Sequence, residues 1–209
     1  MINYLAKKIT NYYIKKNKIK EEERETYEYC FDVLLSTTLN LLAIVIISVA
    51  TALYIEGLIF TIVFMTMRGV GGGYHANTHL SCFLTIMVIF AGYVTILKLV
   101  PEQIIFYISI ALLGVGFILT AIMAPVDNEN KPLTIKEYKK NKIKTIIILS
   151  FYVLVCAILM IFKVTRYYSF NISYPLFMVS MLMVLGWLKN LKWKKKDSIK
   201  IVKKNVDIE

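Results

Sequence analysis

Long charge-free runs divide the chain. Val33 to Ile55 contains no Asp, Glu, Lys or Arg, and as a helix rising about 1.5 Å per residue it covers the roughly 30 Å hydrocarbon core of a bilayer. Leu80 to Leu97, Gln103 to Ala124, Thr145 to Phe162 and Asn171 to Leu188 are also free of charge, and each predicts a further span. Pro175 should kink the last of these or mark its first turn. Ahead of the spans, Ile2, Leu5, Ile9 and Tyr12 or Tyr13 recur at helical spacing, while Lys7, Lys8, Lys15, Lys16 and Lys18 point elsewhere. That pattern predicts an amphipathic helix lying on the cytoplasmic leaflet, with a solvated basic arm as the alternative. Glu21 to Glu25 then reads as an exposed first helical turn or linker.

Gly57 to Met67 is harder to place, because its eleven residues reach only about 16 Å as a helix, half a bilayer. Charge parity decides its role. If it crosses, the cytoplasmic side collects seven Lys or Arg ahead of the first span, Arg68, six lysines between Pro125 and Lys144 and eight after Leu188. Only Lys98, Lys163 and Arg166 then lie outside. If it does not cross, the two basic regions fall on opposite sides, against the positive-inside rule. Gly57 to about Gly73 is therefore predicted to span as a short helix completed by glycine-rich backbone, or to form part of a re-entrant hairpin. Non-helical backbone at that depth requires surrounding protein or a water-filled cavity.

Composition agrees with this membrane class. The 209 residues are 57% hydrophobic, against about 45–50% in soluble domains, and the mean hydropathy is +0.61. A formal charge of +11 could suggest nucleic acid, but the lysines sit between or beyond the apolar runs, where they meet anionic lipid instead. The expected partners thus include membrane lipids and exclude nucleic acid. Residues 1 to 20 lack the apolar core of a cleavable signal, so the mature chain is expected to start at Met1. The fold class is all-α: a polytopic helical membrane protein with about six transmembrane segments, one short and glycine-broken, plus an N-terminal interfacial helix. One domain is expected, with an arm at 1–28, a transmembrane core at 29–188 and a basic, partly disordered tail at 189–209, both termini being cytoplasmic.

Candidate chemistry concentrates between Arg68 and Cys82. Both histidines, His75 and His79, lie here with Cys82 and four of the nine glycines, including Gly71, Gly72 and Gly73. Asn77 or Thr78 suits the N-cap of the helix that opens the third span. With Thr78 as cap, Cys82 falls in the first or second turn, where the helix dipole and a nearby imidazole favour a nucleophilic thiolate. On one straight helix His75 and Cys82 would stand about 10.5 Å apart, out of hydrogen-bond reach, so a pair requires a bend between them. His79, three residues before Cys82, needs none, and geometry alone leaves the base open. Arg68 could clamp a substrate carboxylate or snorkel to headgroups. Backbone N–H groups of Gly71 to Gly73 could form an oxyanion hole.

Two other readings compete. His75, His79 and Cys82 could form a His2Cys zinc site, giving a metal-dependent membrane protease. Alternatively the stretch is a glycine-rich junction with an inert thiol. Cys30 and Cys156 are assigned to that inert class, and the three cysteines form no CxxC pair. A small peptide exporter or carrier, from another functional class, would be expected to show charges inside spans and internal symmetry, and neither is present.

Arg68, the glycines to Gly73, and His75 followed seven residues later by Cys82 resemble the accessory gene regulator B family, membrane cysteine endopeptidases that process quorum-sensing propeptides in Gram-positive bacteria. Ala124 to Leu133 resembles that family's loop after the central spans, and size and span layout agree over essentially the whole chain. The resemblance implies Cys82 as nucleophile and His75 as general base, with no metal and no cofactor. Arg68, Gly71, Gly72, Gly73 and Asn77 would support or position the substrate, and Asn77 or Asp127 are candidates for a third member. His79 is not part of the motif. The implied partner is a small AgrD-like peptide precursor, cleaved near the cytoplasmic face and closed to a thiolactone or lactone; a homo-oligomer is compatible with this reading.

Overall fold

The fold is built from helices whose outer surfaces are apolar. A computed structural model describes residues 2–73, 78–126 and 134–206, the stretch 192–206 by its backbone. In chain order the helices are α1 (Ile2–Lys15), α2 (Arg24–Thr51), α3 (Tyr54–Gly71), α4 (His79–Leu99), α5 (Glu102–Met123), α6 (Ile135–Ile161) and α7 (Ser169–Val206), with 3-10 turns at Glu21–Glu23 and Arg166–Tyr168. Among the described residues six helices are long and apolar enough to cross a membrane. Large apolar side chains such as Ile46, Val88, Ile122, Ile147 and Leu154 are uncovered by protein, as lipid contact requires and water does not favour. The chain is an all-helical, multi-pass membrane protein.

The first two spans differ from expectation at their junction. α2 stops at Thr51 because Ala52 takes a left-handed conformation with φ 57°. Its amide donates to the Val49 carbonyl at 3.2 Å, and the Leu53 amide to Ser48 at 2.9 Å. This is the Schellman pairing, usually built on glycine. α3 consequently starts at Tyr54, not Gly57, and its 18 residues reach about 27 Å at 1.5 Å each. The segment is therefore nearly a full span, with Glu56 in its first turn and Arg68 in its last.

Two compact units are distinguishable, Met1–Tyr54 with Ala76–Gly92 and Ile55–His75 with Tyr93–Glu209. In the first, α1 lies against α2 through Ala6 and Thr10, both buried, while Tyr13 stacks on Phe31 with centroids 5.8 Å apart. Leu5 and Tyr12 of the predicted apolar stripe stay uncovered, so the face that packs on protein is offset from the stripe offered to lipid. Arg24 ties the join together, donating to Glu21 and to Asn11.

In the second unit α5 and α7 pack most closely. A Cβ on Gly116 would stand 3.1 Å from the Phe177 Cα, so the absent side chain lets the two backbones approach. Phe60, Phe64, Tyr93, Phe170 and Tyr174 form an aromatic cluster. At its polar edge Tyr93 donates to the Asn171 Oδ1 at 2.9 Å. Pro175 sits inside α7 and leaves the Asn171 carbonyl without its i+4 amide. α7 does not stop near Leu188: its backbone remains helical to Val206, since lysine is a good helix former and no glycine or proline interrupts residues 187–206.

Candidate active site

The end of α3 is shaped by glycine. Gly72 and Gly73 adopt φ of 70° and 119°, the second a region that side chains rarely enter. The turn is held from three sides. The Gly72 amide donates to the Arg68 carbonyl at 3.2 Å, and the Val126 amide donates to Gly71 at 2.9 Å, making an isolated parallel bridge between Gly72 and Val126. The half-buried Arg68 folds back so that its Nη1 donates to the Gly72 carbonyl at 2.9 Å. A Cβ on Gly73 would meet that same Nη1 and, at 3.1 Å, the Leu182 carbonyl. One Gly71 neighbour is the Met183 side chain. Arg68 and Gly71 to Gly73 are thus brought together as one local structure, in which the guanidinium satisfies a carbonyl where helical bonding has ended.

The start of α4 is capped as its sequence predicts. The Thr78 Oγ1 accepts from the Ser81 amide at 3.2 Å, and the Cys82 amide closes the first full helical bond onto the Thr78 carbonyl at 3.1 Å. Cys82 therefore sits where the first turn passes into the second, half-buried and free of disulfide. The uncompensated amides of this turn give it partial positive charge. Cys30 is exposed and Cys156 is buried, its Sγ 3.5 Å from the Ser169 carbonyl.

Sequence reasoning missed Asp32. The His79 Nε2 lies 2.9 Å from the Asp32 Oδ2, with 38% and 19% of the two side chains exposed. The other carboxylate oxygen, Oδ1, is buried with no hydrogen-bond partner among the described residues. The available signal was an acid directly preceding a charge-free run, where an unpaired carboxylate is costly. Asp32, His79 and Cys82 all belong to the first unit. His75, Asn77 and Asp127 lie outside the described residues, as does the Asp127 to Leu133 part of the family-like loop. Among the described residues no group of three His, Cys, Asp or Glu side chains has metal-binding geometry.

Comparison with known proteins covers the same region. The family model described as Accessory gene regulator B matches residues 6–188. The chain is 26% identical over 196 residues to an AgrB-like protein of Clostridium perfringens (strain SM101 / Type A), covering 90% of this chain and 89% of the relative. It is 24% identical over 195 residues to AgrB-like protein 2 of Clostridium perfringens (strain 13 / Type A), with the same coverage. No solved structure matches the chain.

Proposed function

Because the chain belongs to the accessory gene regulator B family, and so to the agr quorum-sensing system, we propose that it is a membrane cysteine endopeptidase that cleaves a small peptide precursor and closes the product into a ring. The observation that carries this reading is the placement of Cys82, a half-buried free thiol in the capped opening turn of α4. A thiol at a helix N-terminus is the arrangement that makes cysteine nucleophilic at neutral pH.

In the proposed reaction His75 takes the proton from the Cys82 thiol, and the sulfur attacks the carbonyl carbon joining the retained part of the precursor to its C-terminal part. The tetrahedral intermediate collapses when the imidazolium returns the proton to the departing amine. This releases the tail and leaves the retained peptide on Cys82 as a thioester. A thiol or hydroxyl within that peptide then attacks the thioester carbonyl, and Cys82 leaves as the thiolate and regains a proton. Exchange of one thioester for another is nearly balanced, so ring closure requires that water be kept from the acyl-enzyme.

The glycine turn is assigned a positioning role. Arg68, bonded to the Gly72 carbonyl, holds the backbone that leads into His75. The site is assigned to the cytoplasmic face, with both termini on that side, from the distribution of Lys and Arg and from six crossings. An amphipathic, acidic-tailed precursor suits a basic face bordered by an interfacial helix. Co-expression with the precursor tests the assignment: Cys82→Ala and His75→Ala should each abolish cleavage with the protein still in the membrane. Full processing by Cys82→Ala would overturn the nucleophile. Activity that depends on added zinc and is lost to chelator would favour the metal reading instead.

A further inference from the structure

We propose that Asp32 is a positioning residue for Cys82, acting through His79 to pin the opening turn of α4 against α2; this rests on the reading of Cys82 as the nucleophile. The His79 Nε2 and Asp32 Oδ2 are 2.9 Å apart. A carboxylate only accepts, so the proton of this bond belongs to Nε2, and Nδ1 is left as the other ring nitrogen. The bond therefore sets both the tautomer and the plane of the imidazole.

Its location makes the bond consequential. His79 is the first residue of α4, and Cys82, three residues on, shares its helix face. Thr78 already fixes this turn internally, through the Ser81 amide. The Asp32 bond adds an external anchor on a neighbouring helix. Together they define the direction from which the sulfur meets a substrate carbonyl, and small errors in that direction are costly to rate.

The carboxylate depends on this partner. Asp32 is four-fifths covered, and its Oδ1 is buried with no hydrogen bond among the described residues. Deleting His79 would leave a largely buried charge at the edge of a membrane span, the situation in which breaking a pair costs more than the pair contributes. The helices should shift to relieve it and carry Cys82 with them.

The test uses the full chain in lipid nanodiscs with Cys30→Ala and Cys156→Ala, which leaves Cys82 as the thiol to be labelled. Alkylation by a small maleimide at neutral pH reports on the sulfur without requiring a substrate. Asp32→Asn and His79→Gln should each slow labelling about two- to tenfold, the range of one hydrogen-bonded pair. Their combination should be no slower than the worse single change, because both remove one interaction. His79→Arg, which places guanidinium donors within reach of Asp32 but has no nitrogen able to act as a base, should label within twofold of the parent. Precursor cleavage by His79→Gln should fall in kcat with little change in KM, and His79→Arg should recover most of it.

Additive effects in the double variant, or His79→Arg as slow to label as His79→Gln, would overturn the proposal. So would normal labelling of His79→Arg with complete loss of cleavage, which would make His79 the base. If Asp32→Asn fails to fold, His79→Gln and His79→Arg, altered at the more exposed partner, still decide the matter. Cleavage surviving Cys82→Ala would defeat the underlying function while leaving the labelling comparison intact.

Discussion

The end of α3 and the glycine turn after it lend themselves to a graded test, because their four glycines meet different surroundings. A methyl added at Gly69 has nothing within 4 Å among the described residues, and alanine is better than glycine inside a helix by roughly 0.5–1 kcal/mol. Gly69→Ala should be neutral or slightly stabilising. At Gly71 the nearest obstacle is the flexible end of Met183, which can move, so about 0–1 kcal/mol is expected. Gly72 is different: φ of 70° costs alanine about 1–2 kcal/mol, and the new Cβ collides with the Val126 carbonyl. Relieving that collision disturbs the Val126 amide bond to Gly71, about 1 kcal/mol more, for a total of about 2–3 kcal/mol. At Gly73, φ of 119° costs about 1–3 kcal/mol, and the methyl displaces the Arg68 guanidinium from the Gly72 carbonyl. Losing that charged hydrogen bond adds about 1.5–3 kcal/mol. Thermal unfolding in detergent and precursor cleavage would be measured side by side. At roughly 2–4 °C per kcal/mol for a chain of this size, the Gly72 variant should lose roughly 4–12 °C and the Gly73 variant roughly 5–24 °C, each with at least a tenfold loss in cleavage, while Gly69→Ala stays unchanged in both. If Gly72→Ala and Gly73→Ala behaved like Gly69→Ala, the strained turn would have no role in the site.

Other regions offer independent checks. Thr78→Ala removes the cap on α4 and should cost about 1 kcal/mol and slow Cys82 alkylation, while Thr78→Ser should restore both. Tyr93→Phe leaves the buried Asn171 Oδ1 without its donor, predicting a loss of about 1–3 kcal/mol in thermal unfolding with no direct effect on thiol labelling. A cysteine introduced at Lys140, in a background lacking the native thiols, should react with an impermeant maleimide in inside-out vesicles and not in intact cells; the reverse would invert the topology.

Most of the helices were legible because a bilayer imposes a simple rule. Each span needs about 20 apolar residues, and the charge-free runs after Leu80, Gln103 and Thr145 became α4, α5 and α6. What escaped were the stops that composition does not mark. Ala52 closes α2 in a conformation expected of glycine, so the first run was read too far and α3 too short. The last apolar run predicts a span to Leu188 and the candidate span ends at Leu191; the helical backbone runs on to Val206 because nothing in residues 189–206 breaks a helix. Within the candidate site, the Thr78 cap followed from local sequence, since capping is decided by neighbours along the chain. Asp32 did not, because its partner is 47 positions away in the numbering and only folding brings them together. Arg68 was read for its charge toward substrate or lipid; its observed bond to Gly72 reflects the unfilled carbonyls of a helix end.

The central claim is that Cys82 carries the peptide as a thioester, and the direct measurement is mass spectrometry of the intact chain after mixing with precursor whose ring-closing thiol or hydroxyl is replaced by alanine. Without that nucleophile the acyl-enzyme should accumulate. The account predicts an added mass equal to the retained part of the precursor, located at Cys82 by fragmentation, removed by hydroxylamine and absent in Cys82→Ala. Release of the C-terminal part with no adduct, or an adduct on another residue, would contradict it.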